Sequence, residues 1–358
     1  MLAALGLARR GQGDVWPNPT VGCVLVKDGR VIGRGRTQTG GRPHAETEAL
    51  AQAGSAARGA TAYVTLEPCS HHGKTPPCAQ ALIDAGVSRV VVSSIDPDDR
   101  VSGRGVDMLR AAGLSVDVGL LSEEACEINA GFILHRTQGR PLVTLKLATT
   151  LDGRIATANG HSQWITGPAA RACGHMLRAR HDAVMVGAGT ALADDPELTV
   201  RLPGMEGRVP VSVVLDGRLS LAPSSKLASA AASRPVWVVT GPKADPAKRK
   251  PLENRGVRLI DVGHGHDGRL DIAQVMAALA GLGLTRVMIE GGAALATSFL
   301  QCGLVDRLVW FRAPSVIGAD GLAGIGALGL DRLEGSPRFR RIATDTIGDD
   351  MMETYARI

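Results

Sequence analysis

A histidine, a glutamate and two cysteines in the first half of the chain have the types and spacing of a catalytic metal site. His44-Ala45-Glu46 opens a predicted helix, and Cys69 and Cys78 follow, separated by eight residues. Zinc binds thiolates and imidazoles in a tetrahedral shell, and a catalytic zinc takes three such protein ligands plus a water molecule. We therefore predict His44, Cys69 and Cys78 as zinc ligands around an open fourth position.

Glu46 is the predicted acid-base group of this site. Side chains two residues apart on a regular helix do not share a face, but at a helix N-terminus both can converge on one metal. Zinc lowers the pKa of bound water toward about 7, and a carboxylate beside it can move protons to the substrate. His-x-Glu followed by Pro-Cys-x-x-Cys is typical of nucleobase deaminases, although here eight residues separate the cysteines instead of two. The pattern indicates hydrolytic deamination.

Two other interpretations of these residues stay open. His44 could start a surface helix while the cysteines lie in the core, or the zinc could be structural with His71 or His72 as a fourth ligand. Neither gives a role to Glu46, and a fourth ligand would close the position that a substrate water needs. Catalysis is therefore the favoured interpretation.

Composition limits the class of protein. A length of 358 residues favours two domains, and 44% hydrophobic with 21% charged residues is ordinary for a soluble globular protein. No apolar run reaches the roughly 20 residues of a membrane span, and no signal peptide is recognised, so we expect a cytoplasmic protein without a membrane partner. The net charge of +5 is dispersed and aromatic residues are only 3%, which argues against nucleic acid and favours small anionic ligands.

The other cysteines are expected to be small buried residues rather than disulfide partners, because nothing indicates secretion. These are Cys23, Cys126, Cys173 and Cys302.

Alternating strand and helix patterns predict an α/β fold in the first half. Asp28-Gly29 between two alternating runs, 21–26 and 31–36, predicts a β-hairpin. Further strands are predicted at 62–66 and 89–94, and helices at 44–53, 78–85, 106–112 and 122–136.

Gly139-Arg140-Pro141 is the predicted domain boundary, since it is a short run of breakers after a helix. It gives a first domain of residues 1–139 and a second of residues 140–358. The α/β pattern then restarts, and residues 242–254 are expected to be a polar surface excursion. Predicted strands are 142–148, 183–186, 211–215, 236–240, 257–261 and 286–289, and predicted helices are 168–180 and 272–282.

Nearly the whole chain resembles the bifunctional riboflavin biosynthesis deaminase-reductase family. In the first half the resemblance is carried by residues 16–22 (WPNPTVG), 44–46 (HAE), 65–78 (TLEPCSHHGKTPPC), 96–97 (DP) and 103–105 (GRG). In the second half it is carried by 145–147 (LKL), 151–154 (LDGR), 162–166 (SQWIT), 187–190 (GAGT), 193–196 (ADDP) and 290–292 (EGG). One departure is Asp96-Pro97-Asp98-Asp99, where the family has Asp-Pro-Asn-Pro.

The resemblance implies a cytidine-deaminase-like three-layer N-terminal domain and a dihydrofolate-reductase-like C-terminal domain. It implies that the first removes the 2-amino group of 2,5-diamino-6-(ribosylamino)-4(3H)-pyrimidinone 5′-phosphate with Zn²⁺. The second then uses NADPH to reduce the ribosylamino group to ribitylamino. The expected partners are thus a small phosphorylated pyrimidine and further copies of the chain in a homo-oligomer.

The resemblance also implies residue roles. In the first domain, substrate contacts are expected at Asn18, His71 and Lys74. In the second, substrate contacts are expected at Ser162, Arg178, Leu198, Arg201 and Glu290, and NADPH contacts at Ala148, Trp164, Thr190, Asp194, Gly292 and Ala293. Arginine suits the substrate phosphate, because a guanidinium can donate two parallel hydrogen bonds. Lys146 and Asp194 are the predicted catalytic groups for the hydride transfer step.

The glycine-containing turns 187–190 and 291–292 suit phosphate binding at helix N-termini, but neither is the Gly-x-Gly-x-x-Gly fingerprint, so a Rossmann domain is not supported. Two alternative functions are a cytidine- or tRNA-adenosine-type deaminase with an accessory domain, and a zinc-stabilised binding module without turnover. The cysteine spacing and the scarcity of aromatic residues disfavour the first alternative. A closed four-ligand shell and no binding of NADPH would indicate the second.

Overall fold

The computed structural model describes residues 1–71, 76–98, 102–265 and 267–358. The chain forms two compact units, Met1–Arg140 and Pro141–Ile358, which divide within the predicted boundary segment. Among the helices described, none has the length and apolar character needed to span a bilayer.

The first unit is built on a mixed sheet whose strands lie in the order β2-β1-β3-β4-β5 in the described part of the chain. The strands are β1 (Gly22–Lys27), β2 (Arg30–Arg36), β3 (Thr61–Val64), β4 (Arg89–Val92) and β5 (Ser115–Val118). The helices are α1 (Leu2–Arg9), α2 (Ala45–Ala53), α3 (Cys78–Asp84), α4 (Arg104–Ala111), α5 (Ser122–Ile128) and α6 (Ala130–Gln138). The predicted hairpin joins β1 and β2, with Asp28 and Gly29 in the left-handed conformation at φ values of 50° and 73°.

Helices cover both faces of this sheet, so the first unit has three layers. On one face α2, α3 and α4 bury Ala49, Leu82 and Leu109 against the strands. On the other, α1 and α5 pack together through Leu5 and Ile128. These buried residues follow the apolar periodicities of their helices and strands, which is why the elements are readable from the sequence.

Close packing between α2 and β2 places the start of α2. A Cβ added to Gly35 would lie 2.3 Å from the carbonyl oxygen of Ala45, so only glycine allows the two backbones to approach this closely. The segment that carries His44 and Glu46 is therefore fixed against the sheet.

One prediction for the first unit was wrong, and one strand was missed. The single helix predicted at 122–136 is two helices, because Asn129 leaves the helical conformation and its side-chain amide bonds the backbone N–H and C=O of Thr20 at 2.9 and 3.1 Å. The strand β5 was not predicted, since it is a largely exposed edge strand without an apolar run.

The second unit is built on a larger sheet of order β11-β10-β9-β8-β12-β6-β13-β16-β15, as far as the structure describes it. Its strands are β6 (Leu142–Thr150), β7 (Arg154–Ala156), β8 (Ala183–Gly187), β9 (Val211–Leu215), β10 (Val236–Thr240), β11 (Arg258–Asp261), β12 (Arg286–Ile289), β13 (Arg307–Ala313), β14 (Leu322–Ala323), β15 (Phe339–Ile347) and β16 (Asp350–Arg357). Its helices are α7 (Pro168–Ala179), α8 (Ala188–Asp194), α9 (Lys226–Ala230), α10 (Pro246–Glu253), α11 (Ile272–Gly281) and α12 (Ala293–Gln301). Strands β7 and β14 pair separately.

The strands from β11 to β13 in this order run parallel, and β16 and β15 add an antiparallel edge. The inner strands read as continuous apolar runs because helices bury both of their faces. The antiparallel edge was not predicted, since β15 is mostly exposed and its sequence is polar.

One further helix was not predicted, and the expected burial of the four remaining cysteines holds only in part. Residues 242–254 are the mostly exposed polar segment that was expected, and they contain the unpredicted helix α10, which begins at Pro246 with the Asp245 side chain accepting the N–H of Ala247. Cys23 is buried as expected, whereas Cys126 and Cys173 are only half-buried and Cys302 is exposed.

Candidate functional site

Three chain segments bring the predicted zinc ligands together in the first unit. His44 is the N-cap residue of α2, Cys78 is the first residue of α3, and Cys69 lies in the loop that follows β3. The Nδ1 atom of His44 lies 3.2 Å from Sγ of Cys78 and 3.7 Å from Sγ of Cys69. Two helix N-termini thus point at one cluster, where their dipoles favour thiolates.

The donor set fits zinc. The ligand atoms of His44, Cys69 and Cys78 all lie within 4.8 Å of one another, and no other histidine, cysteine or carboxylate of the described ranges joins this group. His71 is therefore not a fourth member, and His72 lies outside the described residues. One imidazole and two thiolates with a remaining coordination position are typical of a catalytic zinc rather than a structural one.

The two thiols of the cluster differ electrostatically: the hydrogen bond with Cys69, then burial, raise the pKa of Cys78, whereas Cys69 is shifted toward the thiolate. Hydrogen bonds from Cys78, with a further one from His44, lower the pKa of the Cys69 thiol to about 4, although burial opposes this. The backbone N–H of Cys78 donates to Sγ of Cys69 at 3.3 Å. A thiolate is the form that binds metal, so Cys69 needs no proton removed at neutral pH.

Glu46 lies beside the cluster and is only 3% exposed. Burial, reinforced by the negative charge of Cys69, raises the pKa of Glu46 to about 7, and its carboxyl group hydrogen-bonds the thiol of Cys78. The spacing of two residues is no obstacle, because His44 caps the helix in an extended conformation (φ −72°, ψ 160°) while Glu46 is inside it. A carboxyl group with a pKa near neutrality can both take and give a proton.

Two of the three residues expected to contact substrate in the first unit, Asn18 and His71, lie within the described ranges. The side-chain amide of Asn18 donates to the carbonyl oxygens of Val15 and Gly40 at 3.2 and 3.4 Å. The buried Nδ1 of His71 has no hydrogen-bond partner among the described residues. Lys74 lies outside the described residues.

The second unit contains an open cavity of about 1340 Å³ beside the carboxyl ends of its parallel strands. A volume above the usual range of about 300–1,000 Å³ for a single small ligand leaves room for a dinucleotide and a second molecule. All residues predicted for this half line the cavity, namely Lys146, Ala148, Ser162, Trp164, Arg178, Thr190, Asp194, Leu198, Arg201, Glu290, Gly292 and Ala293. Their individual roles stay predictions.

Local geometry explains how these residues reach the cavity. Along β6 the side chains of Lys146 and Ala148 are less buried than their neighbours, because alternate residues of a strand face the same side. The two glycine-containing turns meet, since the N–H of Gly292 donates to Oγ1 of Thr190 at 3.0 Å. The guanidinium of Arg171 stacks 4.6 Å from the ring of Trp164, whose indole is 67% exposed.

Glu290 and Arg178 form a buried ion pair at the floor of the cavity. The Nε and Nη2 groups of Arg178 donate to the two carboxylate oxygens at 2.8 and 2.6 Å, and Nη1 donates to the carbonyl oxygen of Thr199 at 2.8 Å. Burial alone would raise the pKa of Glu290, but Arg178 and Lys146 hold it at about 2. Arg201 is different, because its side chain is 58% exposed and pairs with Glu197 at 3.0 Å.

Comparison with known proteins covers both units. Two protein-family models match: the RibD C-terminal domain over residues 141–352, and the cytidine and deoxycytidylate deaminase zinc-binding region over residues 1–94. A riboflavin biosynthesis protein RibD of Aquifex aeolicus is 43% identical over 357 residues, which are 100% of this chain and 97% of that protein.

Solved structures agree with this match. Acinetobacter baumannii RibD superimposes with a TM-score of 0.90 at 38% identity, covering 100% of this chain and 97% of that one. A diaminohydroxyphosphoribosylaminopyrimidine deaminase/5-amino-6-(5-phosphoribosylamino)uracil reductase of Thermotoga maritima superimposes with a TM-score of 0.86 at 36% identity, with the same coverage. This chain belongs to the RibD family.

Membership of the RibD family confirms several predictions. The chain is a bifunctional deaminase and reductase of riboflavin biosynthesis, with a cytidine-deaminase-like first domain and a dihydrofolate-reductase-like second domain. Zinc and NADPH are confirmed as its cofactors. A deaminase with an unrelated accessory domain and a binding module without turnover are thereby set aside.

One residue of this RibD chain was quoted in a motif but given no role by the sequence reasoning. Glu67, two positions before Cys69, is 3% exposed and accepts hydrogen bonds from backbone N–H groups between Asp96 and Val106. No local pattern could reveal this, because the donors lie 29 to 39 residues further along the chain. The only signal was a carboxylate directly before a proline and a ligand cysteine.

Proposed function

We propose that this RibD chain deaminates 2,5-diamino-6-(ribosylamino)-4(3H)-pyrimidinone 5′-phosphate in its first unit and reduces the product in its second. The observation that carries the proposal is the cluster of His44, Cys69 and Cys78 with the buried carboxyl group of Glu46 beside it. The Thermotoga maritima relative, whose name states both the deaminase and the reductase activity, supports the choice of substrate.

The deaminase residues divide the work between metal binding and proton movement. His44, Cys69 and Cys78 would hold Zn²⁺, which makes a bound water molecule acidic near neutral pH. Glu46 would accept a proton from the attacking water, whose oxygen bonds to the ring carbon at the 2-position. Glu46 would deliver that proton to the amino group, which leaves as ammonia when its C–N bond breaks. The buried position of Glu46 beside the cluster places its carboxyl group where both halves of this transfer occur.

Asn18, His71 and Lys74 are proposed to hold the pyrimidine and its ribose phosphate. The amide nitrogen of Asn18 is already committed to two backbone carbonyls, so its orientation is fixed before substrate arrives. Its oxygen then faces the substrate as an acceptor for ring N–H groups. The unpaired buried Nδ1 of His71, as seen among the described residues, provides a second polar contact.

In the second unit, NADPH supplies the hydride that reduces the opened ribose carbon. Lys146 is proposed to donate the proton to the neighbouring heteroatom, with Asp194 as the second candidate. Lys146 lies beside Glu290, because the parallel pair Leu145–Ile289 directly precedes these two residues on β6 and β12. The two charges are close enough to interact, since Lys146 helps to lower the pKa of the Glu290 carboxyl group.

The remaining cavity residues are proposed as binding contacts. Arg201 can turn from its exposed pair with Glu197 toward the substrate phosphate at little cost. Arg178 faces the substrate while holding Glu290. Ser162 and Leu198 complete the substrate contacts, and Ala148, Trp164, Thr190, Asp194, Gly292 and Ala293 the NADPH contacts.

The test is to give the purified protein the diaminopyrimidine substrate with and without NADPH and to identify the products. We expect ammonia without NADPH, and NADPH oxidation only after deamination. Glu46→Gln should reduce ammonia release by about 10²–10⁴-fold with zinc content unchanged. Glu48→Gln, the same change two residues along α2, is the matched control. Equal ammonia release by the two variants would refute the role of Glu46.

We also propose that the chain forms homo-oligomers in the cytoplasm, as the family resemblance implies. Light scattering on the purified protein measures the oligomeric state. A monomer at all concentrations would contradict this part of the proposal.

A further inference from the structure

Glu67 uses its buried carboxylate to hold a distant segment of the first unit. Oε1 accepts the backbone N–H groups of Gly105 and Val106 at 2.8 and 3.1 Å. Oε2 accepts those of Gly103 and Asp96 at 2.9 and 3.2 Å. The start of α4 and the segment after β4 are thereby bound to a single side chain.

The residues on either side of Glu67 are fixed as well. Its own N–H donates to the carbonyl oxygen of Ser94 at 2.9 Å. The carbonyl oxygen of Pro68 lies so close to Gly105 that an added Cβ there would be 2.0 Å away. The carbonyl oxygen of Cys69 accepts the N–H of Ala79 at 3.2 Å, which ties it to α3. The backbone of Cys69 is therefore held from both directions.

We propose that Glu67 is a positioning residue for the metal centre, which sets Sγ of Cys69 at ligand distance from His44 and Cys78. This inference rests on the proposed role of Cys69 as a zinc ligand. The physical argument is preorganisation: a metal binds tightly only when its ligands are already held near their final positions, and groups outside the ligand shell do this holding.

Glutamine at position 67 keeps the shape of the side chain but not its hydrogen bonds. An amide has one acceptor oxygen, and its NH₂ group can only donate. Two of the four backbone N–H groups would then face the amide NH₂ group, which is also a donor. This is unfavourable because buried donors on the backbone and on the side chain would both lack an acceptor. The loop and the backbone before Cys69 must shift to relieve this, and Sγ of Cys69 shifts with them.

The test uses the full-length protein and two measurements that do not depend on activity. One is zinc affinity by competition with a chromophoric chelator, and the other is the visible absorption of the Co²⁺-substituted protein, which reports ligand geometry. Glu67→Gln is compared with Asn129→Ala, which removes the buried hydrogen bonds to Thr20 in the same unit. Gly105→Ala keeps the carboxylate chemically unchanged but pushes on the carbonyl oxygen of Pro68 and on the Glu67 side chain, 3.1 Å away at Oε1. Gly6→Ala is its control, because an added Cβ there meets nothing within 4 Å.

We expect Glu67→Gln and Gly105→Ala to weaken zinc binding by about tenfold or more and to shift the Co²⁺ bands, while both controls keep wild-type values. Wild-type affinity and spectrum in Glu67→Gln would overturn the inference, whatever the stability of that variant. If Glu67→Gln does not fold, unchanged values in Gly105→Ala overturn it equally. A wild-type protein without a thiolate-to-cobalt band would instead refute the ligand role of Cys69, and the inference with it.

Discussion

Replacing Arg178 with methionine should destabilise the second unit by an amount that the geometry allows to be calculated. The pair that it breaks is bidentate, with hydrogen bonds of 2.8 and 2.6 Å. Its side chains are only 16% and 12% exposed for Arg178 and Glu290. The substitution leaves a buried carboxylate without its main partner, which is the costly way to lose an ion pair.

The magnitude follows from the pKa of Glu290. Burial would raise it, yet Arg178 and Lys146 lower it from 4.5 to about 2. The net shift corresponds to about 3 kcal/mol from the whole environment of Glu290. Arg178 is the largest of the lowering causes and offsets the burial, so its removal should cost the 3–5 kcal/mol that is typical of a broken buried pair. Because the folded-state pKa is the lower one, this stabilisation is complete above pH 4.5 and is lost as the pH falls toward 2.

Urea unfolding at pH 7, followed by tryptophan fluorescence, measures the change in the free energy of unfolding. Trp164, Trp237 and Trp310 all lie in the second unit. Arg201→Met is the matched control, since its exposed pair should contribute no more than about 1 kcal/mol. The reasoning is refuted if the two variants are equally stable at pH 7. It is also refuted if the difference between wild type and Arg178→Met does not shrink between pH 4.5 and 2.

Three further outcomes are expected. Chelation of zinc should abolish ammonia release but leave NADPH oxidation with the deaminated substrate intact; parallel loss of both activities would contradict separate sites. Burial, then the charge of Arg286, lowers the pKa of His181 from 6.5 to about 4, so the free energy of unfolding of the second unit should fall by about 3 kcal/mol between pH 6.5 and pH 4. His181→Gln should remove this pH dependence in urea unfolding. The same pH dependence in the variant as in wild type would exclude His181 as its cause. Gly35→Ala should lower the stability of the first unit by about 1–3 kcal/mol in thermal unfolding, because its Cβ would clash with the carbonyl oxygen of Ala45. Gly6→Ala is the control and should leave the stability unchanged. Equal melting temperatures for the two variants would disprove the close contact.

Much of the fold was predictable because local pattern and burial agree. The apolar strands β9 and β10 were placed at their observed bounds, since parallel strands buried on both faces read as continuous apolar runs. Asp28-Gly29 predicted the first hairpin because these residues accept the left-handed conformation that its turn requires. Elements whose sequence is polar, such as β15 and α10, were missed because their stability comes from neighbours or from a capping side chain.

The sequence by itself determined the chemistry that the protein can perform. The types and spacing of His44, Glu46, Cys69 and Cys78 predict zinc-assisted proton transfer, because metal affinity and acid-base capacity belong to the side chains and to their local motifs. The residues that line the cavity of the second unit were also predictable from the sequence, because the family resemblance implies a role for each matching position.

Only the tertiary structure decided how strongly each group is perturbed and what holds it. The residues next to Glu46 in the sequence do not predict its pKa of about 7. The hydrogen-bond donors to Glu67 lie 29 to 39 residues away along the chain, and the partner of Glu290 lies 112 residues away. The physical reason is that dielectric environment and hydrogen-bond geometry depend on which distant segments pack around a group. That packing is a property of the whole folded unit, so a local motif can name the reacting residues without fixing their energies.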